Sequence, residues 1–164
     1  MLEHYKKYLV KDEREIRMKV TMIHQPELIE TEIDVRYPKW SARVKHIEKM
    51  LLSVEITIGG KCDNVTYRLT PGDIYYIESV DKRTYLYGEQ MVYEATERLY
   101  QLEEMLKNIG FVRVSKKCLI NQIYLQSIKM LPNSHVEAKL LNGEKVIVTR
   151  NYITNIREAL ESAL

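Results

Sequence analysis

Residues 111–121, FVRVSKKCLIN, place three cations and no acid in a β-type alternation that stops at an Asn. The pattern turns Phe111 and Val114 toward a core and gathers Arg113, Ser115, Lys116 and Lys117 at the polar end of a strand. Lysine and arginine neutralise phosphates, and hydroxyls and amides add hydrogen bonds, so this edge suits gripping a nucleic-acid backbone and touching bases. Two further groups carry the same chemistry. One is Asp81, Lys82, Arg83 and Thr84, following the apolar run IYYIESV. The other is Thr149, Arg150 and Asn151, just before a helical pattern, where unpaired backbone N–H groups and the helix dipole attract phosphate. Arginine can also fork onto guanine O6 and N7, a contact that discriminates by ~1–3 kcal/mol.

Each residue has a plainer reading. Lys82 and Arg83 can form an exposed turn, and Lys116–Lys117 a solvated edge that discourages strand aggregation. Arg113 either reaches a phosphate or pairs with a nearby glutamate. Asn121 fits the cap of the short turn QIYLQS better than a DNA contact. Tyr75, Tyr76 and Tyr100 fit core or sheet-face positions better than a base-stacking platform. His4, His24, His46 and His135 lack metal-site spacing, so no metal or cofactor is expected. Cys62 lies in a loop-like GGKCDN and Cys118 in an apolar KCLI, with no CxxC, which reads as reduced thiols. A Cys118–His135 nucleophile pair lacks an orienting third group, and no Walker loop, GxSxG or HExxH occurs, so the chain is not expected to be an enzyme.

The chain has 164 residues, enough for one main domain with a modest appendage. Its formal net charge of +2 is weakly basic, so a nucleic-acid footprint must come from local clustering. The opening MLEHYKKYLVKDERE lacks the apolar core of a secretory signal, and no window approaches the ~20 apolar residues of a membrane span. A soluble, cytoplasmic protein without a membrane partner is expected.

The elements that must hold these groups are mostly strands. Residues 1–17 are a charged extension, either a short helix or vector-derived sequence ahead of Met18. Two strands are expected near Val20–Met22 and Ile29–Val35, broken near Pro26. Pro38 suits a first helical turn, and Trp40, Val44, Ile47 and Leu51 form one helical stripe. Alternation then resumes at Val54, Ile56 and Ile58 and, past Gly59–Gly60, at Val65, Tyr67 and Leu69. TPGD is turn chemistry. Strands are expected at Thr84–Tyr87 and Met91–Ala95, and a helix with Leu99, Leu102 and Leu106 ends before Gly110. A β-meander closes the domain, with Ile128–Leu131 and Val136–Leu140 separated by PNSH and a hairpin at Asn142–Gly143. A last helix, capped by Asn151, buries Ile153, Ile156 and Leu160. The fold class is mainly β with short helices (α+β).

IYYIESVDKRTYLY, LYQLEEML, GFVRVSKKCLIN and KLLNGEKVIVTRNYITNI, in this order and spacing, resemble the LytTR DNA-binding domain of bacterial response regulators over about residues 54–161. The resemblance implies small antiparallel sheets with short helices, and loops that enter successive major grooves on one face of double-stranded DNA and bend it. It carries DNA contact onto Asp81, Lys82, Arg83 and Thr84, onto Ser115, Lys116 and Lys117, and onto Thr149, Arg150 and Asn151, and Arg113 joins them from its charge and place on the strand. Phosphate anchoring falls to Lys82, Arg113 and Lys117, and base reading to Arg83, Lys116 and Arg150. The family often has His-Arg-Ser where this chain has Ser115-Lys116-Lys117, so cationic charge is kept while the relatives' base preference does not transfer.

The resulting division is a charged extension at 1–17, a strand–strand–helix element at 18–53 and a LytTR domain at 54–164. Residues 1–53 are too short for a receiver domain, which implies a stand-alone bacterial transcription regulator binding spaced repeats as a homodimer. The alternative is a protein-interaction or effector-sensing module that modulates another regulator. The stripe of Trp40, Val44, Ile47 and Leu51 is either a dimerisation surface or a lid on its own domain. Light scattering across a dilution series separates the two: a dimerising stripe gives a falling mass, and a lid gives a constant monomer.

Overall fold

The computed structural model describes residues 6–10, 18–132 and 135–161. The chain divides into two compact units, Met1–Arg36 and Tyr37–Leu164. In the first, β1 (Lys6–Val10) pairs antiparallel with β2 (Met18–Met22). Residues 6–10 are therefore a strand and not part of the expected helix, and the rest of that extension lies outside the described residues. The second expected strand, Ile29–Val35, does not form. Its Ile29, Ile33 and Val35 are exposed, because alternation alone makes no strand without a neighbour to take its backbone hydrogen bonds.

The second unit opens with α1 (Ala42–Ser53), whose first turn is closed by Ser41 accepting from the Val44 N–H at 3.4 Å. That cap moves the helix start past Pro38 and leaves Trp40 outside it. Trp40 is 54% exposed and packs edge-to-face on Tyr37, with ring centroids 5.6 Å apart. Val44, Ile47 and Leu51 remain half-buried along one face of α1.

Then follow β3 (Ile58–Cys62), β4 (Val65–Leu69), β5 (Tyr76–Val80), β6 (Arg83–Tyr87), β7 (Val92–Ala95), α2 (Leu99–Leu106), β8 (Phe111–Ser115) and β9 (Cys118–Asn121). These seven strands form one antiparallel sheet in the order β4-β3-β7-β6-β5-β9-β8. A second antiparallel sheet joins β10 (Leu125–Met130), β11 (Val136–Leu140) and β12 (Lys145–Val148), and α3 (Ile153–Glu161) closes the unit. The architecture is the mainly β arrangement with short helices expected from the sequence.

Alternation sorts the core into two layers. Leu119, Ile77, Leu86 and Phe111 belong to one cluster, which the Leu99, Leu102 and Leu106 stripe of α2 covers. Cys118, Ile120 and Val114 belong to the other, filled by Leu125, Val136, Ala138, Leu140 and Val148 of the second sheet and by Ile156 of α3. Because Leu119 and its two neighbours face opposite clusters, β9 is covered on both sides.

Two local expectations shift. The strand expected from Val54 begins at Ile58, and Gly59–Gly60 lie inside it, so Cys62 ends a strand instead of sitting in a loop. The turn falls at Asp63–Asn64, both with positive φ (49° and 65°), the two-residue form that matches strand twist. Gly60 is required by packing, since a Cβ there would lie 2.8 Å from the Tyr93 Cβ and 3.0 Å from the Leu69 Cδ1. Gly60→Ala should therefore cost about 1–3 kcal/mol of overpacking, read as a lower midpoint in chemical or thermal denaturation.

Candidate nucleic-acid interface

The three cationic groups meet through strand order. β5 and β6 are joined at Asp81–Lys82, so Arg83 starts β6 opposite Val80. β9 runs antiparallel to β5 with Cys118 opposite Glu78, and the Ser79 N–H donates to the Lys117 carbonyl at 2.8 Å. The Lys116–Lys117 turn therefore sits beside the end of β5 from which the Asp81–Lys82 turn springs. The third group is tied to β8, where the Thr149 N–H donates to the Val114 carbonyl at 2.9 Å. All three turns occupy one end of the large sheet.

Each turn has its own local cause. Asp81 and Lys82 both take positive φ (48° and 66°), the conformation a two-residue hairpin requires and one that lysine seldom adopts. The Lys116–Lys117 turn follows a register shift between Arg113 and Ser115, and the Ser115 hydroxyl accepts from the Lys117 N–H at 3.1 Å. Thr149 precedes a single 3-10 turn, Arg150–Tyr152, that runs into α3. Asn151 thus lies inside that turn and does not cap the helix, because Thr149 already accepts from the Tyr152 N–H.

The cations divide into free and committed groups. Lys82, Lys116, Lys117 and Arg150 are exposed and make no ion pair among the described residues. Asn151 is exposed beside Arg150, and Ser115 is partly buried. Arg83 is exposed and meets Glu94 at 3.3 Å, a screened surface pair of little net strength that a phosphate can displace. Arg113 is the first correction. Its side chain is 17% exposed and forks onto Glu103, with Nε–Oε1 and Nη2–Oε2 both at 2.7 Å, while Nη1 donates to the Lys116 carbonyl at 2.9 Å. All three guanidinium nitrogens are occupied, so Arg113 holds the turn and does not anchor phosphate. Thr84 is the second correction: at 3% exposure it faces inward with Leu86, out of reach of DNA.

Sequence reasoning missed Glu103 and Arg98. Arg98 donates through Nη1 to the Lys82 carbonyl. With Lys61, Lys82 and Arg83 it lines a groove of about 440 Å³ beside the first turn. No motif announces either residue. The one available signal was parity, since Arg113 alternates with Phe111 and so shares the face that α2 covers.

Asn121 is structural, as the sequence suggested. It is buried, donates to the carbonyls of Pro71 and Ile74 at 3.1 and 3.0 Å, and accepts from the Ile123 N–H. Burial pushes the Cys118 thiol up to about 12, Glu78 adds to this and Arg113 opposes it, so the sulfur is a poor nucleophile. No cluster of His, Cys, Asp or Glu among the described residues could hold a metal. No helix among them is long and apolar enough to cross a membrane.

Comparison with known proteins agrees with this geometry. The family profile described as LytTr DNA-binding domain matches residues 64–161. The sensory transduction protein LytT of Enterococcus faecalis is 29% identical over 94 residues, covering 57% of this chain and 39% of that one. The chain therefore spans about two fifths of that relative's length. A Staphylococcus aureus (strain MSSA476) protein named as an uncharacterized HTH-type transcriptional regulator is 24% identical over 145 residues, covering 87% of this chain and 98% of that one. A solved LytTr DNA-binding domain from Bacillus cereus has a similar fold, with a TM-score of 0.59 at 23% identity over 63% of this chain and 95% of that one.

Removing the Asn121 amide leaves the buried Ile74 carbonyl without its donor and the Ile123 N–H without its acceptor, while the Pro71 carbonyl keeps the Ile74 N–H at 3.3 Å. Asn121→Ala should cost about 1–3 kcal/mol per unsatisfied group in denaturant melts, while the folded protein keeps the electrostatics of its basic turns.

Proposed function

The chain belongs to the LytTR family of DNA-binding domains, and from that premise we propose that it is a bacterial transcription regulator, not an enzyme, reading double-stranded DNA with the three turns. One observation carries the reading: Lys82, Lys116, Lys117 and Arg150, from turns far apart in sequence, stand exposed and without ion pairs among the described residues at a single end of the sheet. Lysines on a turn are mobile point charges suited to phosphate, and they hold the protein in register over the duplex. Lys116, expected from the sequence to read a base, is therefore assigned here to phosphate with Lys82 and Lys117. Arg150, with Asn151 next to it, is the best-placed group to fork onto a base edge in the major groove. Arg83 joins them by exchanging Glu94 for DNA.

In this reading residues 54–164 are the DNA-binding part and 18–53 an accessory element. Two protomers occupy spaced repeats, with dimerisation at least on DNA. The regulator works in the cytoplasm without a receiver domain. Support for the last point comes from the Staphylococcus aureus relative, 98% of which aligns with this chain.

Three lysines set against phosphate predict a log–log salt slope of roughly −2.7 per protomer, at about −0.9 for each phosphate neutralised. Fluorescence anisotropy with a duplex from its own promoter region and an unrelated duplex, titrated across salt, measures this directly. Lys116→Ala should weaken both duplexes about equally and reduce the slope by roughly one unit. Arg150→Ala should flatten the preference between them by about 1–3 kcal/mol. Unchanged affinity and preference in Arg150→Ala would remove that residue from the interface, and no binding by the wild type at low salt would sink the DNA-binding reading itself.

A further inference from the structure

Helix α2 reaches both lysine-bearing turns of the large sheet through charged groups, Arg98 at its start and Glu103 by way of Arg113. Its apolar stripe, Leu99, Leu102 and Leu106, is buried in the core. Its N-cap residue, Arg98, donates to the carbonyl of Lys82. One turn further on, Glu103 holds both Nε and Nη2 of Arg113 at 2.7 Å, and the remaining Nη1 of Arg113 donates to the carbonyl of Lys116 at 2.9 Å. The two lysines proposed to meet phosphate are thus each fixed through their own main-chain oxygen by a guanidinium that α2 carries or orients.

Both turns need such restraint. Lys82 sits at φ 66°, a region that costs a β-carbon-bearing residue free energy and persists only where its surroundings enforce it. Lys116 follows a break in strand register, where no ladder partner fixes the backbone. A carbonyl bonded to a guanidinium is held more firmly than one bonded to water, because the donor is charged and planar. The pair with Glu103 strengthens this restraint: it is bidentate, and the Arg113 side chain is 17% exposed, so swinging out to solvent would break both charged hydrogen bonds at once.

We propose that α2 is a positioning strut for DNA binding, in which Arg98 and the Glu103–Arg113 pair pin the carbonyls of Lys82 and Lys116 and so set the lysine ammonium groups at a fixed spacing for the phosphates. This rests on the interface proposed above. It differs from simple electrostatics in sign. Removing the negative charge of Glu103 near a polyanion should tighten binding if charge alone matters, and should weaken it if the carboxylate orients the turn through Arg113.

The test compares Glu103→Gln, Arg98→Ala, Glu104→Gln and Lys116→Ala by anisotropy across salt, each with its thermal midpoint. Glu104 lies on the same helix with only a 3.9 Å contact to Lys107, so it reports the effect of lost charge alone. The expected result for Glu103→Gln and Arg98→Ala is roughly tenfold weaker binding to the preferred duplex with the salt slope unchanged, since the lysines remain present but no longer preorganised. Glu104→Gln should bind as tightly as wild type or slightly tighter, and Lys116→Ala alone should lower the slope. If Glu103→Gln and Arg98→Ala both bind like Glu104→Gln while Lys116→Ala is weak, the interface stands and the strut is wrong. If Lys116→Ala also binds like wild type, the interface is wrong and the strut falls with it. Should Glu103→Gln fail to fold, Arg98→Ala decides by its salt slope, which a lost phosphate contact would lower by roughly one unit and a lost strut would leave unchanged.

Discussion

Burial of β9 on both faces is the constraint on which the rest of the second unit depends. Cys118 and Ile120 enter one core cluster, Leu119 enters the other, and Asn121 ends the strand by tying the Pro71–Ile74 segment to it. A four-residue strand with no solvated face cannot slip by one position, because a slip would exchange the two cores and strand the Asn121 amide. Register is therefore fixed for β5 on one side and β8 on the other. The turn that precedes β9 must emerge where β5 ends, and Thr149 then brings the last turn to the Val114 carbonyl of β8. The same burial makes Cys118 inert, its thiol pushed to about 12.

Charge is distributed by the same geometry. A net charge of +2 is too small to explain DNA affinity as a bulk property. The structure resolves this by assigning partners unevenly. Glutamates hold two of the arginines, Glu103 fully and Glu94 loosely, while the lysines at the turns and Arg150 stay unpaired among the described residues. The division suits the chemistry of the groups. A guanidinium offers a planar fork that satisfies a carboxylate and a carbonyl at once, as Arg113 does, whereas an ammonium on a long flexible stem serves as a screened, mobile charge. The lysines at that end are left unpaired among the described residues because the nearby Glu94 and Glu103 are engaged by arginines.

The family match lies within the second compact unit, Tyr37–Leu164. The family match covers residues 64–161, which span all three turns. The middle turn is held through the carbonyls of Lys116 and Lys117, which accept from Arg113 and from the Ser79 N–H, and through the Ser115 hydroxyl, which accepts from the Lys117 N–H, so both lysine side chains are left outward.

The sequence by itself determined the elements and most of their faces. Period-two runs marked the strands of the large sheet, the Leu99–Leu102–Leu106 spacing marked α2, Asn142–Gly143 marked the last hairpin, and Asn121 announced its capping role, because each of these depends on contacts within a few residues. Parity also held more than was first drawn from it. Thr84 shares the face of Leu86, and Arg113 that of Phe111, so neither was free to point at DNA. Tertiary structure alone decided the rest. Alternation at Ile29–Val35 found no partner strand, Gly60 served close packing against Tyr93 inside a strand instead of a turn, and Arg113 met a glutamate ten positions earlier that no motif marked. The physical reason is range. Backbone pattern records which side of an element is apolar, but which charge lies across from which depends on how separate elements are stacked, and the buried strand between two cores settles that only when the whole sheet has closed.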